Sequence, residues 1–205
     1  MNEQEPRDRF KSLLKSLNGD GRYGMTLLAI CALLLLPELA GDTARSFMQY
    51  ERSAIAAGQW WRLITAHLVH LDLDHAVLNA LGLVMMWALF ARDYRARDWL
   101  IIVFVIFIAI DVGLWFRDPQ IVWYVGASGA LHGFMAAGTL AHVRRGDLDG
   151  WILAVFIVLK LGYEQWTGAL PFSGSGVPVL VNAHLYGALG GVIAATALRP
   201  RREPL

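Results

Sequence analysis

Charged side chains are scarce in this chain of 205 residues, of which only 17% are Asp, Glu, Lys or Arg. A typical soluble domain carries about a quarter charged residues, so this scarcity excludes an ordinary soluble fold. The single cysteine, Cys31, excludes an intramolecular disulfide. The chain also shows no repeat of fixed period, no low-complexity region and no sign of a second domain. No nucleic-acid partner is expected.

Apolar residues, in contrast, make up 56% of the chain and gather in long runs. Each run has roughly 17 to 22 residues, which is enough to cross the hydrocarbon core of a bilayer. The six runs cover about residues 23–40, 75–91, 99–116, 125–143, 151–168 and 177–198. The first run follows a basic stretch, but no convincing cleavage pattern follows it, so we expect a retained helix. The sequence predicts an all-α membrane protein with six transmembrane helices.

Most of the 18 lysines and arginines lie in alternate connections of this six-span chain. They occur in residues 1–22, 92–97, 144–145 and 199–202. Connections rich in Lys and Arg stay in the cytoplasm. This pattern predicts cytoplasmic tails at 1–22 and 199–205, and a membrane domain at 23–198 whose first, third and fifth loops face outward.

Polar residues with catalytic chemistry are predicted at one depth, near the outward face. Ser128 lies at the start of the fourth span, His184 at the start of the sixth, and His75 with Asn79 at the start of the second. Serine needs a neighbouring base to attack a carbonyl, and histidine suits that task. His75 and Asn79, four residues apart on one helix face, are candidate oxyanion donors together with the backbone N–H of Ser128.

Pairs of glycines favour a close approach of the fourth and sixth spans. The fourth span carries Gly129 and Gly133, and the sixth carries Gly187 and Gly191. These pairs leave small helix faces that can pack closely. A third member of a catalytic triad is not evident next to His184. Glu164 and Asp111 remain possible orienting groups if the fold brings them close, and Glu164 is the better placed.

These motifs resemble those of the rhomboid family of intramembrane serine proteases. The family pattern combines Gly-x-Ser-Gly, a later His-x-x-Gly-x-x-x-Gly and an earlier His-x-x-x-Asn, which correspond here to Gly126–Gly129, His184–Gly191 and His75–Asn79. Trp61–Arg62 resembles the family's Trp-Arg element. The residues around Ser128, Lys160–Gln165 and Ala183–Gly191 look most like the rhombosortase branch.

The resemblance implies a rhomboid-like bundle in which Ser128 is the nucleophile, His184 the base, and His75 with Asn79 the oxyanion donors. It implies no cofactor and no metal. Gly126, Gly187, Gly191 and His132 would support the site. Many rhomboids carry a tyrosine where this chain has His132, which could stack on His184 or compete with it as base. Many also carry a glutamate at the end of the second span, for which Asp93 could substitute.

Other polar groups have competing interpretations. Several potential metal ligands lie close together in sequence: His67, His70, Asp72, Asp74 and His75. Their spacing is poor for a single closed metal site, so we expect solvated loop residues or local hydrogen-bond partners instead. Lys160 and Glu164 share a helix face, and either neutralise each other or recognise substrate. Residues 169–178, rich in Gly, Ser and Pro, could form a cap over the site.

The sequence therefore predicts a protease of the bacterial inner membrane, with its active site facing the periplasm. Its partners would be the bilayer and a transmembrane segment of a protein substrate, cleaved near the periplasmic face through a Ser–His dyad. By the rhombosortase resemblance, substrates would carry a C-terminal glycine-rich sorting signal. Two alternatives are an inactive rhomboid-like chaperone or sorting factor and a six-span transporter, but no repeated halves or broken helices point to a transporter.

Overall fold

The computed structural model describes residues 11–168 and 179–201. Six long helices account for most of this part of the chain. They are α1 (Gly21–Leu35), α5 (Leu73–Phe90), α6 (Ala96–Phe116), α7 (Ser128–Arg145), α8 (Leu148–Thr167) and α9 (Val181–Ala197). The cap predicted at 169–178 lies outside the described residues, as do 1–10 and 202–205 of the two predicted tails.

The helix boundaries differ from those of the apolar runs in two informative places. The first run continues past α1 as a tighter 3-10 helix, Leu36–Ala40, with a proline in its first turn. Proline is tolerated there because the first turn of a helix has no intrahelical partner for its N–H groups. The fourth run, 125–143, follows a two-residue strand and begins outside regular structure, and α7 starts only at Ser128, which places the serine in its first turn.

Three stretches within the described residues are long and apolar enough to cross a membrane: Gly21–Met48, Leu73–Phe90 and Ala96–Phe116. The other three long helices are shorter or more polar. Helix α9 has 17 residues and is rich in glycine and alanine, while α8 carries Lys160 and Glu164. Helices that pack inside a bundle need less apolar surface than helices that face lipid. The count of six spans and the cytoplasmic position of both termini stay predictions.

The long connection between α1 and α5 is folded. It contains α2 (Gly41–Met48), β1 (Tyr50–Glu51), α3 (Arg52–Ala56) and α4 (Arg62–Thr65). Strand β1 pairs antiparallel with β2 (Trp123–Tyr124), which directly precedes the serine motif. The buried guanidinium of Arg62 ties the connection together by donating to the carbonyl oxygens of Ser46 (2.9 Å) and Gln49 (2.8 Å).

Helices α6, α7 and α9 form the centre of the bundle. A Cβ added at Gly187 would lie 1.9 Å from the carbonyl oxygen of Gly129, and one at Gly191 would lie 2.1 Å from that of Gly133. Only glycine fits at such backbone contacts. Helix α6 covers this pair with a fully buried stripe at intervals of four residues. The stripe consists of Ile102, Ile106, Ile110 and Leu114.

We predict that Gly191→Ala destabilises the protein, because its methyl group would overlap the backbone of α7. Overpacking of this kind costs about 1–3 kcal/mol. Gly162→Ala is the matched control, since a Cβ at Gly162 on α8 would have no atom within 4 Å. Thermal unfolding of both variants in the same bilayer mimetic should show a lower midpoint for Gly191→Ala only. Equal midpoints would mean that the α7–α9 contact can relax.

Candidate active site

Ser128 is held at the first turn of α7 by the chain that precedes it. Gly126 has a φ of 115°, a conformation that L side chains rarely adopt, and the chain turns sharply there from β2 into the helix. The N–H of Gly126 donates to the carbonyl oxygen of Ala66 (3.0 Å), and the Tyr124 hydroxyl donates to the carbonyl oxygen of Gly126 (2.7 Å). The backbone around the serine is therefore fixed on both sides.

His184 meets this serine from the first turn of α9. Its Nε2 lies 3.0 Å from the Oγ of Ser128, and the residue is only 3% exposed. A base at hydrogen-bond distance from a hydroxyl can take its proton as the oxygen attacks a carbonyl. The structure thus brings together the two residues that the sequence placed 56 positions apart.

Glu164 reaches the other nitrogen of the same imidazole. Its Oε2 lies 3.0 Å from Nδ1 of His184, and its Oε1 lies 2.6 Å from Nζ of Lys160. A carboxylate that is 1% exposed needs such partners, because an unpaired buried charge is costly. Asp111, the other carboxylate that the sequence suggested, lies elsewhere, 3.7 Å from Nε2 of His67.

His132 packs flat against His184 from α7. The two ring centroids are 4.1 Å apart and the ring planes differ by 15°. Nδ1 of His132 lies 2.7 Å from the carbonyl oxygen of Ser128, and because a carbonyl oxygen only accepts, this nitrogen donates. The hydrogen bond of His132 thus goes to the serine backbone instead of the hydroxyl, which leaves Ser128 Oγ to His184.

His75 and Asn79, the predicted oxyanion donors, stand on α5 beside the serine turn. Nε2 of His75 would lie 3.2 Å from a Cβ added at Gly126, so the ring packs directly on the backbone two residues before Ser128. Asn79 is 3% exposed, and its Nδ2 donates one hydrogen to the carbonyl oxygen of His75 (2.9 Å). An amide nitrogen carries a second hydrogen. Their role as oxyanion donors stays a prediction.

A carboxylate that sequence reasoning missed anchors the start of α9. Both Oδ atoms of Asp118 lie 3.0 Å from Nδ2 of Asn182, and its Oδ2 accepts from the Tyr186 hydroxyl at 2.9 Å. Asn182 and Tyr186 flank His184 at two residues on either side. Asp118 therefore holds the helix turn that carries the base. An isolated aspartate after α6 gives no sequence pattern that would reveal this contact.

Two histidines of the connection between α1 and α5 are buried, so the first of the two alternatives expected for them, solvated loop residues, was wrong. His67 is 1% and His70 0% exposed. His67 stacks on Phe107 with ring centroids 4.1 Å apart, and the His70 and His75 rings meet edge to face at 5.1 Å. The carboxylate of Asp72 accepts from the backbone N–H of His75 (2.8 Å) and caps α5, in line with a local hydrogen-bond role.

Two other groups of potential metal ligands in the described residues have donor atoms within 4.8 Å of one another. One comprises His132, Glu164 and His184, and the other comprises His142, Asp147 and Asp149. In the first group, both nitrogens of His184 and both oxygens of Glu164 already make hydrogen bonds within the protein. These donor atoms therefore already have partners within the protein.

Comparison with known proteins agrees with the motifs. Residues 57–201, which include α5 to α9 and both halves of the site, match the family model described as the rhomboid domain. The chain belongs to the rhomboid family.

Two relatives from Bacillus subtilis (strain 168) carry the family name. The chain is 28% identical over 221 residues to rhomboid protease GluP, covering 96% of this chain and 41% of GluP. It is 26% identical over 149 residues to putative rhomboid protease YdcA, covering 73% of this chain and 72% of YdcA. This chain thus spans less than half the length of GluP.

A third relative is named as an uncharacterized protein. Uncharacterized protein Rv1337 of Mycobacterium tuberculosis (strain ATCC 25618 / H37Rv) is 27% identical over 190 residues, covering 88% of this chain and 77% of Rv1337. Similarity to this rhomboid-like chain therefore extends to proteins whose names state no function.

Asp93, considered as a substitute for a rhomboid glutamate, lies at the opposite end of the bundle from Ser128. It follows α5, and its carboxylate contacts Nε2 of His142 (3.0 Å) and the guanidinium of Arg145 (2.9 Å) near the end of α7. The backbone N–H of Arg201 also donates to its carbonyl oxygen (2.7 Å). Asp93 therefore ties α5 to α7 and to the C-terminal segment, far from the connection between α1 and α5.

Acid should destabilise this rhomboid through His70. Burial, together with the neighbouring His75, lowers the pKa of His70 from 6.5 to about 3. Below about pH 6.5 the unfolded chain binds a proton at His70 while the folded protein does not, so stability falls as the pH drops from 6.5 toward 3. The unfolding midpoint should therefore decrease between pH 6.5 and 5.

His70→Leu should make this decrease shallower, while the midpoints of the two proteins should run parallel above pH 7. Thermal scans across both pH ranges measure the difference. An unchanged slope below pH 6.5 would show that His70 does not carry the acid sensitivity.

Proposed function

We propose that the protein is an intramembrane serine protease in which Ser128 is the nucleophile and His184 the general base. The observation that carries this proposal is the 3.0 Å contact between Ser128 Oγ and His184 Nε2 at the start of two adjacent helices. Membership of the rhomboid family and two relatives named as rhomboid proteases support it.

Each step of the proposed acyl transfer has a candidate group in this site. His184 takes the proton of Ser128 as Oγ attacks the scissile carbonyl, and then gives that proton to the leaving amine. The oxyanion that develops would be stabilised by the Ser128 backbone N–H, which is unpaired at a helix start, and by His75 and Asn79. Water then attacks the acyl-enzyme, with His184 again acting as base. All of these groups belong to the chain, and the proposed reaction uses no cofactor.

The substrate we propose is a transmembrane segment of another protein. Ser128, His184 and His75 all lie in the first turns of their helices, at the end of the bundle that the charge pattern predicts to face outward. In a bacterial inner membrane this is the periplasmic side. A peptide bond at this depth can reach both the serine and water. We further propose a glycine-rich C-terminal sorting signal as substrate, supported by the resemblance of the motifs to rhombosortases.

An inactive rhomboid-like chaperone or sorting factor is the alternative. It would not need the hydroxyl of Ser128 and the imidazole of His184 at hydrogen-bond distance. The contact between them, and the burial of His184, favour the enzyme.

A fluorophosphonate probe should form a covalent adduct with the wild-type protein in bilayers, because it reacts with a serine whose proton a neighbouring base removes. Ser128→Ala and His184→Ala should abolish the adduct. Ser53→Ala, which removes an exposed hydroxyl on α3, should retain it. Intact-mass analysis reads out all four proteins. A folded wild-type protein without adduct would support the inactive alternative.

The sorting-signal proposal predicts a substrate preference. In proteoliposomes, a reporter with a glycine-rich motif, an apolar helix and a basic end should be cleaved by wild type and left intact by Ser128→Ala. Replacing the glycines of the reporter by leucines should slow cleavage, because bulky side chains would obstruct the approach of the scissile bond. Gel analysis and mass spectrometry of the products measure rate and cleavage position. Equal rates would refute the sorting signal while leaving the protease in place.

A further inference from the structure

Four side chains from three helices form a continuous series of hydrogen bonds that ends at the serine. Lys160 and Glu164 come from α8, His184 from α9 and Ser128 from α7. The successive distances are 2.6 Å, 3.0 Å and 3.0 Å. The Glu164 side chain is completely buried and that of Lys160 is 18% exposed.

The carboxylate of Glu164 determines which nitrogen of His184 carries a proton. An ionised carboxylate only accepts hydrogen bonds, so Nδ1 of His184 must donate to Oε2. In the neutral imidazole, Nε2 then has the lone pair, and it is this nitrogen that faces Oγ of Ser128. This is the tautomer that a general base requires. The opposite tautomer would present an N–H to the hydroxyl and could not accept its proton.

Lys160 explains why Glu164 remains ionised in this position. A buried carboxylate surrounded by apolar helices would otherwise bind a proton to avoid the cost of its charge. The ammonium of Lys160, one helical turn away, binds the oxygen that His184 does not use. Each oxygen of the carboxylate therefore has its own donor, one from Lys160 and one from the base His184.

The remaining face of the imidazole is held by His132, whose ring lies parallel to it. This stacking fixes the plane of the ring but does not select its tautomer, since it involves no ring nitrogen of His184. The hydrogen bond of His132 goes to the carbonyl oxygen of Ser128. Glu164, which contacts Nδ1, therefore selects the tautomer of His184.

We propose that Glu164 is a positioning residue that locks His184 in its Nδ1–H tautomer and stabilises the imidazolium formed during attack, with Lys160 keeping Glu164 ionised. The Ser–His dyad of the proposed function thereby becomes a Ser–His–Glu triad whose third member is supplied by α8. This inference rests on the proposed function only for its catalytic consequence. The tautomer is a property of the resting protein.

The decisive variant is Glu164→Gln, which keeps the size of the side chain and removes its charge. Glutamine can either accept from Nδ1 or donate to it, so both tautomers of His184 become populated. Asp111→Asn is the matched control, because it makes the same change at a half-buried carboxylate that contacts His67 instead of His184. The rate of fluorophosphonate labelling should fall by roughly 10²- to 10⁴-fold in Glu164→Gln, the range that a general base contributes. Asp111→Asn should label at close to the wild-type rate.

A spectroscopic measurement separates positioning from a structural role. Solid-state nitrogen NMR of histidine-labelled protein in bilayers distinguishes protonated from unprotonated ring nitrogens, and His184→Gln assigns the signals of His184. Wild type and Asp111→Asn should show Nδ1 protonated and Nε2 unprotonated, whereas folded Glu164→Gln should show a mixture.

The outcomes distinguish this inference from the proposed function. Wild-type labelling that Ser128→Ala abolishes, together with unchanged rate and tautomer in Glu164→Gln, would overturn the role of Glu164 and leave the protease intact. Absence of labelling in wild type would overturn the proposed function. The NMR spectra would still decide the role of Glu164, since an unchanged tautomer in Glu164→Gln refutes it.

Discussion

The close contact between α7 and α9 is the constraint on which the site depends. Ser128 immediately precedes Gly129, and His184 lies one turn before Gly187, whose Cα approaches the backbone of Gly129 too closely to carry a side chain. The serine and the histidine therefore project from the same line of contact between two backbones. Any side chain at these glycines would push the helices apart by more than a hydrogen bond tolerates. Ser128 Oγ lies within hydrogen-bond distance of His184 Nε2 because Gly129, next to the serine, and Gly187, one turn after the histidine, have no Cβ atoms.

Glycine packing alone does not fix the rotation of each helix about its own axis. Polar contacts at the ends of the helices fix this rotation. Asp118 accepts from Asn182 and Tyr186, on either side of His184, and thereby fixes how the first turn of α9 faces α6. The Tyr186 ring occupies the space above Gly113, where a Cβ would lie 2.3 Å from it. At the other end of the bundle, Asp93 joins His142 and Arg145 on α7. Hydrogen bonds to a carboxylate thus anchor both ends of a core made of small and branched apolar side chains.

Sequence reasoning identified what depends on local pattern and missed what depends on the relative rotation of helices. Apolar runs and glycine spacing were sufficient to place six helices and to expect Ser128 near His184. The burial of His67 and His70 was missed because it results from the folding of a long connection, which places His67 against α6 and His70 against the start of α5. Hydropathy does not report such packing. The choice of Glu164 over Asp111 was favoured only weakly by the order of the spans. Which face of α8 meets α9 is decided by packing, and only the structure shows that Glu164 is on that face. The rhombosortase branch rests on motif likeness alone.

The position of Glu164 on α8 links the chemistry of the site to the docking of that helix. In the C-terminal half of α8, Trp166 is 90% exposed, whereas Glu164 is buried against His184 and Gln165 makes a long contact, 3.4 Å, to the carbonyl oxygen of Val181. Few interactions therefore hold this half of α8 against α9, and the strongest of them is the one that orients the base. Any displacement of α8 would withdraw the carboxylate from His184 and leave an unpaired charge in the bundle. Because the carboxylate that aligns His184 is carried by α8, the tautomer of the base, and with it the nucleophilicity of Ser128, depends on how this helix docks against α9.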